Sequence, residues 1–247
     1  MPAAIEFRDV VLKAPDGRLL LDGIRLEIEE GTTTAILGRS GCGKTTLLRM
    51  VNCMAQPGGG KVFVRGADAS SQNVTKLRRN IGYVVQETGL FPHFTVERNA
   101  GLVPELNGSR ANKGHIHGLL HQVGLDPEKF ALRYPHQLSG GQRQRVGFAR
   151  ALAADPPILL MDEPFGALDP LTRVEMQEML RALLQRLKKT VLLVTHDLDE
   201  ALYLASRIVL LEEGRIVANL PAEKFLDADL PAVKQYAQAF KRREASR

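Results

Sequence analysis

Scarcity narrows this sequence before any motif does. Tryptophan is absent, aromatic residues make up 5% of the chain, and cysteine occurs twice, at Cys42 and Cys53. Two cysteines so placed, one inside a glycine-rich stretch and one shortly after it, support neither a disulfide framework nor a zinc site. No apolar run nears the roughly eighteen residues that cross a bilayer. Runs such as Ile158-Leu159-Leu160-Met161 and Val191-Leu192-Leu193-Val194 have the length of buried strands. The stretch Met1 to Glu6 lacks both the basic and the apolar region of a signal peptide, and the expectation is a soluble, cytoplasmic protein. There is no internal repeat or low-complexity segment. Basic residues outnumber acidic ones, 33 to 28, but they are spread along the chain, with one dense run at Lys241-Arg242-Arg243. A scattered charge of this kind makes no case for a nucleic-acid partner. The 247 residues, 44% of them hydrophobic, suffice for one large domain or a domain with an inserted subdomain.

The stretch Gly38-Arg39-Ser40-Gly41-Cys42-Gly43-Lys44-Thr45-Thr46 lies between the apolar run Thr34 to Leu37 and the helical run Leu47 to Val51. This is a G-x-x-x-x-G-K-[ST] phosphate loop with a strand before it and a helix after it. Glycines at 38, 41 and 43 let successive N–H groups point inward at phosphate oxygens. The helix that follows offers its unpaired N–H groups to the same anion. One such helix-end contact is worth only about 0.3–1 kcal/mol at an exposed site, so several donors and the Lys44 ammonium must act together. The Thr45 hydroxyl is suited to Mg²⁺.

Along the chain, Ile5 to Leu12, the turn Pro15-Asp16-Gly17, Leu19 to Leu21 and Ile24 to Ile28 read as an antiparallel β layer. Short strands follow at Lys61 to Arg65 and Ile81 to Val85, the latter running into Gln86. Residues 87–155 hold no further strand pattern but several helical ones, including Asn112 to Val123 and Gln142 to Ala154. Strand and helix then alternate: a strand at Ile158 to Met161, a helix from Pro170 to Lys188, and a strand at Val191 to Thr195. A helix from Leu198 to Ala205, a hairpin from Arg207 to Val217 turning at Glu213-Gly214, and a last helix over Ala232 to Arg243 complete the pattern. Such alternation predicts an α/β fold with a mostly parallel sheet. The expected division is a core of residues 1–86 and 156–230, a helical subdomain of 87–155, and a tail of 231–247.

Two further stretches carry chemistry. Leu138-Ser139-Gly140-Gly141-Gln142 runs straight into a helix, so Ser139, Gly140, Gly141 and Gln142 offer a hydroxyl and N–H donors suited to a second phosphate. Taken alone, the same residues also make an ordinary helix cap. Ile158 to Met161 ends in Asp162-Glu163-Pro164, which sets two carboxylates at the carboxyl end of a buried strand, where open α/β sheets bind ligands. Asp162 is suited to Mg²⁺ and Glu163 to polarising an attacking water, a role typically worth ~10²–10⁴ in rate. Pro164 implies that the chain turns there.

Taken in order, the phosphate loop, Gln86, Leu138 to Gln142, Asp162-Glu163, Ala167-Leu168-Asp169 and His196 resemble the ATPase subunit of an ABC transporter across essentially the whole chain. The resemblance implies a P-loop NTPase (RecA-like) core with an antiparallel β layer and an inserted helical subdomain, using ATP and Mg²⁺. It further implies that Gln86 touches the metal and the attacking water. Leu138 to Gln142 becomes the signature motif, Asp169 a loop aspartate that crosses between subunits, and His196 a switch histidine on the γ-phosphate. Each chain has one copy of each motif, so two chains, or a chain and a similar ATPase, would sandwich two ATP molecules head to tail. Separate transmembrane permease subunits would dock near Gln86 and Thr88 to Val96 on the inner face of the membrane, with a substrate-binding protein acting indirectly.

Gln86 to His93, Gly38 to Gly41 and Ile208 to Gly214 are similar to their counterparts in bacterial osmoprotectant importers for quaternary amines such as glycine betaine or choline. Such ATPases often carry tandem regulatory domains after the core. A sequence ending at Arg247 implies absent regulation or a shorter relative. An ATPase for another cargo (amino acid, lipid or other solute) stays open, as does a soluble ABC-type ATPase acting on nucleic acid or ribosomes. A phosphate-loop kinase would leave Leu138 to Gln142 and His196 unexplained. Members often stack adenine on an aromatic residue of the first β layer. Here Pro15 occupies the matching position and Phe7 is misplaced by spacing, which leaves the adenine contact open.

Overall fold

The computed structural model describes residues 3–14, 16–86, 88–108 and 112–245. Pro15, the position matched to the adenine-stacking aromatic, lies outside them. In chain order come β1 (Ala3–Lys13), β2 (Leu19–Glu29), β3 (Thr33–Leu37), α1 (Lys44–Val51), β4 (Gly59–Val64) and β5 (Ala67–Asp68). Then follow α2 (Val74–Arg79), β6 (Ile81–Val84), α3 (Val96–Ala100), α4 (Leu102–Leu106), α5 (Lys113–Gln122), α6 (Pro127–Phe130) and α7 (Gly140–Leu152). The chain continues with β7 (Ile158–Asp162), α8 (Pro170–Leu187), β8 (Thr190–Val194) and α9 (Leu198–Leu204). It ends with β9 (Arg207–Glu212), β10 (Arg215–Pro221), α10 (Ala222–Phe225) and α11 (Pro231–Ala245). These elements form two compact units, one of residues 1–77 with 190–247 and one of residues 78–189.

In the first unit, β2, β1, β4 and β5 make an antiparallel sheet. Ile24, Leu26 and Ile28 of β2 point inward while Arg25, Glu27 and Glu29 face water, the period-two pattern of a sheet with one wet face. The sequence breaks this strand at Asp22-Gly23. The chain nevertheless runs through as one strand, absorbing the break in register shifts against β1 between Phe7 and Val10 and between Val10 and Leu12. The unit's other strands run β10, β9, β3, β8, with β9, β3 and β8 parallel. All five residues of β8 are buried, as a parallel strand covered on both faces requires.

In the second unit, β6 and β7 pair in parallel from Ile81 opposite Ile158 to Val84 opposite Met161. All five residues of β7 are buried. Helix α7 approaches β6 so closely that a Cβ on Gly82 would meet the Ala151 carbonyl oxygen at 2.4 Å. Helix α2, which begins in the first unit, covers most of the stretch Lys76 to Asn80, in sequence merely basic and polar. The Asn73 side chain accepts the Lys76 N–H at 3.0 Å, and Leu77 supplies the buried contact.

The fully buried Phe148 of α7 lies against Phe165, with ring centroids 6.1 Å apart. Phe148→Ala should cost about 3–5 kcal/mol in urea unfolding, the usual loss for a buried aromatic.

Candidate functional site

The phosphate loop is closed by two glycines that no other residue could replace without distortion. Gly43, with φ 103°, is the N-cap of α1, and a Cβ there would meet a Leu21 methyl at 2.8 Å. Gly38, with φ 156°, would place a Cβ 2.3 Å from the Leu211 carbonyl oxygen. The loop between them leaves Arg39, Ser40 and Gly41 exposed and Cys42 half-buried, with Thr45 and Thr46 half-buried on the first turn of α1. Lys44 is 5% exposed, and its ammonium donates to the carbonyls of Gly38 at 2.7 Å and Arg39 at 3.0 Å. The residue that should hold phosphate thus holds its own loop. A cleft of about 520 Å³ opens beside it, with Arg39, Ser40, Gly41, Cys42, Glu212 and Gln235 among its lining.

Strand register brings His196 to this end of the unit. Ile36 of β3 is level with Val194 of β8 in a parallel pair, so Gly38 and His196 each lie two residues beyond the paired positions. The Thr195 N–H extends the pairing by donating to the Ile36 carbonyl at 3.2 Å.

The same device operates separately in the second unit. Val84 is level with Met161, so Gln86 and Glu163 leave the β6–β7 pair together. Both flank Gly166: a Cβ there would lie 3.4 Å from the Gln86 amide nitrogen and 3.6 Å from a Glu163 carboxylate oxygen. Glu163 adopts φ 44°, a left-handed conformation uncommon for a residue with a side chain, which ends β7 and turns the chain where Pro164 implied. Asp162 is 6% exposed, with the Tyr83 hydroxyl 3.5 Å from its carboxylate.

The Leu138 to Gln142 stretch forms a reciprocal cap. Ser139 Oγ accepts the Gln142 N–H at 3.2 Å, and the Gln142 side-chain oxygen accepts the Ser139 N–H at 3.0 Å. Gly140 faces open space, whereas a Cβ on Gly141 would strike the Thr172 methyl at 2.5 Å. Asp169 is exposed and caps α8, accepting the Thr172 N–H at 3.0 Å. Thr172, through its N–H and then its hydroxyl, holds the Asp169 carboxyl below the usual carboxylate range. The stability lent by this cap is therefore present above the ordinary carboxylate pKa and lost as pH falls through the lowered one.

Two residues outside the sequence motifs organise the segment after Gln86. The Arg150 guanidinium donates to the carbonyls of Thr88 at 2.6 Å and Gly89 at 2.8 Å. Asn99, fully buried, accepts the Phe91 N–H at 2.8 Å and donates to the carbonyls of Phe91, Phe94 and Thr95, each at 3.1 Å. The available signal was an asparagine between Val96 and Ala100 on the buried face of a short helix, next to a loop whose carbonyls needed donors.

Residues 21–166 match the family model described as ABC transporter. The chain belongs to the ABC transporter family. It is 49% identical over 221 residues to the choline transport ATP-binding protein OpuBA of Bacillus subtilis, covering 85% of this chain and 58% of that protein. It is 49% identical over 208 residues to the osmoprotectant import ATP-binding protein OsmV of Salmonella typhimurium, covering 83% of this chain and 54% of that protein. The ABC chain thus spans little more than half the length of these relatives. Among solved structures it resembles the dimeric structure of MJ0796, a bacterial ABC transporter cassette, with TM-score 0.80 and 34% identity over 88% of this chain and 98% of that one. The α/β fold is that of a P-loop NTPase cassette.

The residues of this ABC chain fit a nucleotide with Mg²⁺. Gly38 and Gly43, at the two ends of the loop, have no room for a Cβ, and the Lys44 ammonium donates to two neutral carbonyls. Thr45 in the first unit and, separately, Gln86 and Asp162 in the second carry oxygen atoms of the kind Mg²⁺ prefers. Among the described residues no group of three or more His, Cys, Asp or Glu side chains could hold a metal unaided.

Burial pushes the Cys42 thiol pKa up, against the pull of nearby Lys44. At pH 7.5 N-ethylmaleimide should therefore react more slowly with Cys42 than with a free thiol, and faster as pH rises. Mass spectrometry of the labelled peptide should show protection by ATP, and the labelled protein should lose ATP binding.

Proposed function

We propose that this chain binds ATP with Mg²⁺ and hydrolyses it as one half of a head-to-tail dimer, powering import through separate transmembrane permease subunits. The observation that carries the reading is the placement of Gln86 and Glu163 at the ends of paired parallel strands, both against Gly166. An amide and a carboxylate so placed are suited to orienting a water and accepting its proton. Lys44 exchanges its loop carbonyls for phosphate oxygens, and the N–H groups of Gly38 to Thr46 close round the same anion. Thr45, Asp162 and Gln86 are the residues that would hold Mg²⁺, which would supply charge that offsets the phosphates. His196 donates to the γ-phosphate as its charge develops.

The dimer follows from a second anion site in the same chain. Ser139, Gly140, Gly141 and Gln142 open α7, and the exposed side of Gly140 leaves room for a phosphate carried by a second copy or a similar ATPase. Asp169 crosses towards that partner. Binding closes the pair and hydrolysis reopens it, a shift between two arrangements driven by differential affinity.

The segment held by Arg150 and Asn99 receives the permease, so that Gln86 senses it. No helix among the described residues is long and apolar enough to cross a membrane; docked on its permease, the chain works at the inner face of the membrane. The relatives OpuBA and OsmV favour an osmoprotectant cargo such as a quaternary amine, delivered by a substrate-binding protein.

Glu163→Gln should keep ATP affinity within about three-fold and lower hydrolysis by ~10²–10⁴. Size-exclusion chromatography with ATP and Mg²⁺ should then show a stable dimer; monomer alone at saturating ATP would remove the support for the sandwich.

A further inference from the structure

Helix α11 belongs to none of the motifs, yet it reaches His196. The Tyr236 hydroxyl donates to the His196 main-chain carbonyl at 3.0 Å. The His196 peptide is otherwise fixed from its two neighbours. On one side the Thr195 N–H donates to Ile36 of β3. On the other, the Asp197 N–H donates to the Thr195 hydroxyl at 3.0 Å, and the Asp197 carboxylate caps α9 by accepting the Glu200 N–H at 3.0 Å. The Asp197 N–H shares one planar peptide with the His196 carbonyl, so the Thr195 hydroxyl holds that peptide locally on its N–H side. Its carbonyl side is held from a segment forty residues away.

The anchor is built to keep its place. Val233, 1% exposed, lies one turn before Tyr236 on the inward face of α11, so the ring is delivered by a packed helix. Gln235 of the same turn lines the cleft beside Arg39, Ser40 and Gly41. One turn of α11 therefore meets both the histidine main chain and the rim of the phosphate loop.

We propose that Tyr236 is a positioning residue for His196, so that α11 sets the orientation of the histidine through the peptide it holds. This rests on the reading that His196 acts on the γ-phosphate. A rotation of the His196 peptide swings the imidazole, and an error of about an ångström at a reacting group can cost ~10²-fold. The hydroxyl acts on the step that needs the ring in place and leaves nucleotide binding at the phosphate loop alone.

Tyr236→Phe keeps the ring and removes the hydroxyl that donates to His196. In steady-state ATP hydrolysis by the full chain, kcat should fall about 3- to 10-fold, with KM for ATP within two-fold. At 1.36 kcal/mol per decade that is about 0.6–1.4 kcal/mol, the net worth of one neutral hydrogen bond. In the nucleotide-free protein, the imidazole Cε1–Hε1 NMR cross-peak of His196 should shift. Those of His93, His115, His117, His121 and His136, all in the other unit, should stay in place. An unmoved His196 peak, a kcat within two-fold of the parent, or a loss carried by KM would each overturn the proposal. A parent protein that does not hydrolyse ATP would overturn the functional reading instead, and the NMR comparison would still decide whether Tyr236 positions His196.

Discussion

A buried ammonium facing two neutral carbonyls is the constraint on which the nucleotide end of this protein depends. Lys44 is 5% exposed and is held by the oxygens of Gly38 and Arg39. Taking a charge out of water costs several kcal/mol unless a partner compensates, and carbonyl dipoles compensate less than an anion does. The loop is thereby poised for a polyphosphate, whose arrival gives Lys44 a counter-charge. The glycines at 38 and 43 make this possible, because a Cβ at either would collide with Leu211 or Leu21 and open the loop.

Parallel pairing does the rest of the placing. Chemical groups are carried two residues beyond the last paired positions, Gly38 with His196 in one unit and Gln86 with Glu163 in the other. A strand buried on both faces cannot slip in register without exposing its apolar side chains, so the groups at its end inherit its rigidity. Where loops intervene, polar side chains take over: half-buried Arg150 and fully buried Asn99 hold the carbonyls that follow Gln86, and half-buried Tyr236 holds that of His196. These are the costly groups to leave unpaired, which is why each sits where a loop would otherwise drift.

Helices and strands with strong periodicity were legible from the residues. The run Ile158 to Met161 is a buried strand, and Leu138 to Gln142 does open a helix, which begins at Gly140 because Ser139 and Gln142 cap each other. The pattern divides β2 at Asp22-Gly23 because glycine usually marks a turn, whereas pairing with β1 carries the strand through. It gives no element at 74–79, where the helix is marked only by one buried leucine and an asparagine cap.

The sequence by itself determined the chemistry: a glycine-closed phosphate loop, a serine-glycine helix start, a carboxylate pair at a strand end, and a histidine after another strand. These are local patterns, since each depends on residues within a few positions of one another. Tertiary structure alone decided who stands beside whom. Gln86 and Glu163 come to the same glycine, Gly166, from the ends of strands far apart in sequence, β6 and β7, and Tyr236 meets His196 from forty residues on. No short-range pattern encodes such pairs, because they are fixed by register and packing between segments that are neighbours only in the folded chain.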